Sequence, residues 1–290
     1  MVDHILGNYL VESGKISKEQ LQEVLKKQDT VRVKLGLIAV SEGLMTLEEA
    51  DEINRLQAIM DMRFGDLAVE KGCLTEDQVY KLLQQQGNTY LTFIQTLIDD
   101  GLITMEEVDW LLDSFKKENG YSNTEMENLK SDNVDRIIPL LLPEEAKQYK
   151  ELICTVVRTM IRLIDRHVYV GKAVMVENMS YDNMVTQTLD GEAGLVDCFA
   201  ERDGALLMTC SVFGQEEFNR LDADSLDAAG ELLNCMNGLY VSALSREGRF
   251  LELLPPQYTA CEPDKVDTIC RIPIFIGDKG LYFAVGQERK

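Results

Sequence analysis

The chain has 290 residues, enough for one to three domains, and 45% hydrophobic residues, enough for ordinary cores. Its net charge of −21 is spread evenly, with 12 Lys+Arg against 22 Asp+Glu in residues 1–120 (−10) and 17 against 28 in residues 121–290 (−11). Neither half offers a basic face, which argues against binding to nucleic acid or to an anionic membrane surface.

Residues 1–118 carry an internal repeat. Gly14, Gly43, Gly72 and Gly101 are spaced by 29 residues, as are Ser17, Thr46, Thr75 and Thr104, and the apolar residues Ile16, Met45, Leu74 and Ile103. Each copy reads as two short helices. The first ends at the glycine, which suits a left-handed C′ position. The second starts at the Ser or Thr, with Gln20, Glu49, Gln78 or Glu107 three residues on, a capping box in every copy. Helices this short cannot stand alone, so the copies must stack into an all-α tandem-repeat domain. Leu10, Leu21, Leu67, Val79, Leu97 and Val108 are expected in its core.

The third copy, Arg63-Phe64-Gly65 … Gly72 … Leu74 … Gln78-Val79 … Leu83 … Gln86, resembles the MshEN-type cyclic-di-GMP-binding domain. Copy two has Lys34-Leu35-Gly36 and Gln57. Copy one has Leu6-Gly7 and Gln28 with Ile5 in place of the basic residue, and copy four has lost the pattern. The resemblance implies that Lys34 and Arg63 would hold cyclic-di-GMP. The other reading is a structural or protein-binding module with both cations solvated.

Residues 119–134 are polar and without apolar period, which predicts a linker. Beyond it, residues 135–290 predict an α+β domain with a mainly antiparallel sheet and two long helices. The expected elements are a helix from Glu144 to about Arg166, then strands over Gly171–Met179, Met184–Leu189, Leu195–Glu201 and Ala205–Phe213. A second helix from about Ser225 to Arg246 follows, then strands Phe250–Leu254, Thr268–Ile276 and Leu281–Val285. Asp203-Gly204 reads as a hairpin turn.

Within the second long helix, Leu226, Ala229, Leu233, Met236, Tyr240 and Leu244 mark the buried side. Asp227, Glu231 and Asn234 fall on one face at helical spacing. Asn234, Asn237 and Gly238 are poor helix-interior residues, and such local conflicts often mark function.

Asp227-x3-Glu231-x2-Asn234, with Gly238 next and Pro255-Pro256 after the following strand, resembles the signature of the CheC/CheX chemotaxis phosphatases. The resemblance implies a CheX-like fold for residues 135–290 and a partner, a phosphorylated CheY-like receiver. Asn234 would orient the attacking water and Glu231 would bond the receiver's lysine, with Asp227 and Gly238 also meeting the partner. The domain would need no cofactor, because the receiver brings its own Mg²⁺. A homodimer is implied as well. In the first long helix the corresponding stretch, Lys147-x3-Glu151-x2-Cys154, keeps the acid and lacks the amide, so one active site per chain is expected. Cys154 as a nucleophile is the sharper alternative to a core thiol. Either proline could fill the family's proline position. The competing functions are a non-catalytic receiver-binding module and a cyclic-di-GMP-responsive adaptor.

The remaining composition narrows the chemistry. The seven cysteines, Cys261 among them, form no C-x-x-C, and most sit among apolar neighbours as expected for buried thiols. Two histidines far apart leave little material for a zinc site or a His-assisted nucleophile. No apolar run nears the roughly 18 residues of a membrane span, and the acidic start is no signal peptide, so a cytoplasmic protein is expected.

Overall fold

The computed structural model describes residues 1–60, 62–178, 181–192, 194–258 and 266–288, without the side chains of residues 29, 58, 267 and 268. The chain divides into two compact units, Val2–Asp132 and Asn133–Lys290.

The first unit is helical. It runs α1 (Val2–Glu12), α2 (Lys18–Lys27), α3 (Leu35–Ser41), α4 (Leu47–Met60), α5 (Phe64–Glu70), α6 (Glu76–Gln84), α7 (Thr89–Asp99), α8 (Met105–Asn119) and α9 (Asn123–Lys130). Gly14, Gly43, Gly72 and Gly101 end α1, α3, α5 and α7 with φ of 65° to 72°. Each donates to the carbonyl three residues back, and the next N–H reaches five back, as in Lys15 to Leu10 and Cys73 to Ala68, which closes a Schellman motif. Ser17, Thr46, Thr75 and Thr104 each exchange both capping-box bonds with Gln20, Glu49, Gln78 and Glu107. Leu10, Leu21, Leu67, Leu97 and Val108 are buried, and Val79 is half-buried.

A second set of glycines works by absence of bulk. A Cβ on Gly7 would stand 2.4 Å from Leu21, on Gly36 3.1 Å from the Phe64 ring, and on Gly65 2.8 Å from Val79 Cγ1. These positions let neighbouring helices approach closely; the fourth copy fills the place with buried Ile94. Gly65→Val should therefore destabilise the chain by about 1–3 kcal/mol through overpacking, read as a lower urea midpoint at unchanged slope.

The polar stretch 119–134 is not an irregular linker. α9 starts on a Ser122/Glu125 capping box and buries Met126 and Leu129. Two apolar residues three apart suffice to dock an eight-residue helix, too few to stand out in a polar composition.

The second unit opens with α10 (Val134–Leu141), a 3₁₀ stretch Glu144–Tyr149 and α11 (Lys150–Leu163). Then come β1 (Tyr169–Val170), β2 (Val174–Val176), β3 (Met184–Gly191), β4 (Leu195–Glu201), α12 (Ala205–Gly214), α13 (Ala223–Arg246), β5 (Leu251–Leu253), β6 (Val266–Ile276) and β7 (Lys279–Glu288). The strands form one antiparallel sheet in the order β1-β6-β7-β4-β3-β5, with β2 also on β6. α12 and α13 pack on one face, and α11 packs on α13. On the opposite face Met184, Val196, Cys198, Ala200, Val266, Ile269 and Ala284 form a cluster partly covered by Val176, Tyr181 and Tyr282.

Residues Ala205–Phe213, expected as a strand, lie in α12, and Asp203-Gly204 is its entry rather than a hairpin turn, with Gly204 at φ 91° as N-cap. The run Ala-Leu-Leu-Met is apolar on every side, so period cannot separate helix from strand, and its residues are strong helix formers. Of the strand expected over 171–179 only β2 (Val174–Val176) forms, and the two-residue β1 lies just before that range; Met179 lies outside the described residues, as does Cys261. Among the described residues no helix is long and apolar enough to cross a membrane.

Candidate functional site

α13 begins at Asp222, whose carboxylate and backbone exchange a capping box with Ser225. Ala229, Leu233, Met236, Tyr240 and Leu244 are buried as their spacing predicts, and Leu226 is half-buried. Asp227 and Glu231 are exposed, and Asn234 is half-buried beneath them on the same face. The amide is thus neither sunk in the core nor turned from its companion acid.

A polar network that the sequence did not reveal holds Asn234. Gln187 on β3 is buried at 1% exposure, and its Nε2 donates to Asn234 Oδ1 at 2.7 Å and to the Leu254 carbonyl at 2.8 Å. Asn237, one turn after Asn234 and fully buried, donates through Nδ2 to Gln187 Oε1 at 2.9 Å and to Asp197 Oδ1 at 3.0 Å. Gln187 and Asp197 are direct cross-strand partners on β3 and β4, which places both under α13. The only signals in sequence were the single acid Asp197 inside the apolar run Leu195–Ala200 and the ill-fitting Asn237.

Burial pushes the Asp197 carboxyl up to about 8, against the opposing pull of its bonds from Asn237 and from its own backbone. Near neutral pH it carries its proton. Asp197 Oδ2 and Asn237 Oδ1 are otherwise unpartnered among the described residues. The neutral acid keeps Oδ1 as the acceptor for Asn237 Nδ2 and gains an O–H on Oδ2, so it buries no uncompensated charge.

The edge of the site is the segment after β5. Leu254 donates to the Thr188 carbonyl, whereas the Gln257 and Thr186 backbones bond each other. Three steps on this strand therefore face two on β3, a one-residue bulge containing Pro255 and Pro256. A Cβ on Gly230 would lie 3.2 Å from Pro256 Cβ, so Pro256 is the proline packed on α13, and Pro255 is exposed. Tyr258 OH donates to Asp227 Oδ1 at 2.6 Å, and that bond, with burial and the nearby Asp227 and Glu231 charges, pushes the phenol up to about 12. Gly238 is half-buried with room for a methyl group, since its nearest neighbour would be Leu253 at 4.0 Å.

On α11, Cys154 is buried at 1% exposure, and burial, assisted by Asp135 beside it, pushes its thiol up to about 12. It cannot serve as a thiolate near neutral pH, so the core reading holds. Cys198, Cys210 and Cys270 are buried, Cys73 is half-buried, and Cys235, next to Asn234, is exposed.

In the first unit, Lys34 and Arg63 are the N-cap residues of α3 and α5, and both are exposed. Lys34 Nζ bonds Asp99 Oδ1 at 2.7 Å, a contact that an anionic ligand would have to displace. Among the described residues no three His, Cys, Asp or Glu cluster so as to hold a metal ion.

No protein-family model matches the chain. No curated protein matches it in sequence. Among solved structures it is similar to a CheC-like chemotaxis protein from Shewanella oneidensis, at 13% identity over 50% of this chain and 99% of that one, TM-score 0.42. It is similar also to the chemotaxis protein CheX from Desulfovibrio desulfuricans, at 14% identity over 49% and 99% of the two chains, TM-score 0.41. A third similar structure is the CheX–CheY–BeF3–Mg²⁺ complex from Borrelia burgdorferi, at 15% identity over 48% and 97%, TM-score 0.39.

Proposed function

We propose that the C-terminal unit hydrolyses the aspartyl phosphate of a CheY-like receiver, with Asn234 directing the water and Glu231 gripping the partner. The observation that carries the reading is the pairing of an exposed Glu231 with an Asn234 held from behind by Gln187, on one helix face. The reading rests also on the motif Asp227-x3-Glu231-x2-Asn234 and its resemblance to the CheC/CheX signature.

The chemistry asks little of this chain. An acyl phosphate is already reactive, and the receiver brings Mg²⁺ to neutralise the phosphoryl oxygens. The water oxygen forms a bond to phosphorus as the bond from phosphorus to the aspartyl oxygen breaks, and the receiver's carboxylate leaves. What remains to be supplied is in-line placement of that water, which a fixed carboxamide provides through both its acceptor and its donors. A carboxylate in its place would repel the phosphoryl oxygens. Glu231, exposed and anionic, is suited to the receiver's lysine and sets the docking register.

The test is phosphate release from a panel of phosphorylated receivers, measured with the full chain. Acceleration of at least one above its own decay supports the proposal; binding with no acceleration would leave a docking module instead. A regulatory part for the first unit rests on Lys34 and Arg63. Saturable binding of fluorescent cyclic-di-GMP by the full chain, lost in Arg63→Ala, would support it.

A further inference from the structure

We propose that Gln187 is the positioning residue of this site: it draws the Asn234 carboxamide oxygen inward and turns the Asn234 amino group outward, toward the bound phosphoryl group. The proposal rests on the phosphatase reading above and adds to it which end of the amide faces the partner.

Oxygen and nitrogen ends of side-chain amides have similar shape, so their orientation is argued from what each neighbour can do. A backbone carbonyl only accepts. The Leu254 carbonyl at 2.8 Å therefore fixes the nitrogen end of Gln187. The same Nε2 then has one proton left, and it points at Asn234, which must answer with Oδ1. At the other end Gln187 Oε1 needs a donor and finds Asn237 Nδ2, whose second proton goes to Asp197 Oδ1. Every link follows from the one before, and reversing Asn234 would set two amino groups against each other.

The chain of bonds is anchored in rigid structure. Gln187 lies in β3 between β4 and β5, Asp197 lies in β4, and Leu254 is held by its own N–H to Thr188 on the same β3. Gln187, Asn237 and Asp197 are at 1% exposure or less, so solvent does not compete for their bonds. Of the four polar side chains, only Asn234 reaches the surface. No described residue accepts from its Nδ2, so both protons and one Oδ1 lone pair remain for the water and the phosphoryl oxygens.

Two measurements test this. In 15N-labelled full chain, the Gln187 side-chain protons should exchange with solvent at least ~10-fold more slowly than those of Asn234, being bonded where the latter are not. Protected Asn234 protons beside fast Gln187 protons would overturn the proposal. In kinetics, Gln187→Met keeps length and apolar bulk and removes the bonds. Its kcat on a phosphorylated receiver should fall roughly 10- to 100-fold with KM within about twofold, since docking through Glu231 is untouched. A merely structural Gln187 would instead lower the melting temperature and leave kcat of the folded fraction at the parent value. Parental kcat in Gln187→Met beside an inactive Asn234→Ala overturns the positioning role and leaves the phosphatase standing. Absence of hydrolysis by the unmodified chain across the receiver panel overturns both. If Gln187→Met does not fold, the exchange measurement on the unmodified chain decides.

Discussion

Asn234→Ala should lower the rate of phosphate release from the cognate receiver by roughly 100- to 1,000-fold, the usual loss when one preorganised polar group is removed from a reacting centre. Binding should change little, because the truncated side chain is half-buried and the exposed Glu231 remains. The fold should hold as well. The substitution leaves Gln187 Nε2 bonded to the Leu254 carbonyl and opens its other proton to water at the surface. The measurement is a pair of titrations, catalysed release for kcat and KM, and direct binding of the receiver in its beryllofluoride form. A parental rate would remove the mechanism, and a lost affinity at normal kcat would make Asn234 a docking residue. Glu231→Ala is expected to show the opposite pattern, a raised KM at a better-preserved kcat.

The second large effect is on stability and concerns Asp197→Asn. The folded protein holds the Asp197 proton up to about pH 8, while an unfolded aspartate, at its usual 3.8, has already lost it. Between those limits the native state binds one more proton than the unfolded state. Stability is therefore fully present below about pH 4 and falls through the window up to about pH 8, by about 1.4 kcal/mol for each pH unit. The amide variant carries no titrating group. Its amide oxygen can accept from Asn237 Nδ2 as Asp197 Oδ1 does, and its amino group stands where the acid carried its proton. Urea unfolding at pH 5, 6, 7 and 8 should show the variant gaining on the parent at every step, and it should be the more stable protein at pH 8. Parallel curves would mean that Asp197 is already ionised in the folded chain.

Which parts were legible in the sequence follows from the range of the interactions. The capping boxes and C′ glycines of the first unit are local, spanning three to six residues, and the residues at Ser17, Thr46, Thr75 and Thr104 are the ones the backbone geometry requires. The buried stripe of α13 was likewise written in its 3.6-residue period, and with it the common face of Asp227, Glu231 and Asn234. α12 is not legible because an all-round apolar run has no period, nor is α9, because burial of Met126 and Leu129 is decided by what they dock against. The support behind Asn234 was out of reach for a different reason. Gln187 and Asp197 meet only through the β3/β4 register, and the Leu254 carbonyl joins them only through a bulge. Asn237 stands out in the sequence as an awkward helix residue; nothing in its neighbours marks it as the joint of a buried chain.

The two margins of the sheet have a bearing on solubility. One margin is β5, three residues long and followed by two prolines that carry no N–H; the other is β1 and β2, of two and three residues with a break between them. Among the described residues, a stray strand seeking to extend either side would find at most three consecutive strand residues to pair with, too short a template for stacking into fibrils. Long inner strands such as β6 and β7 can thus be strongly apolar without inviting polymerisation.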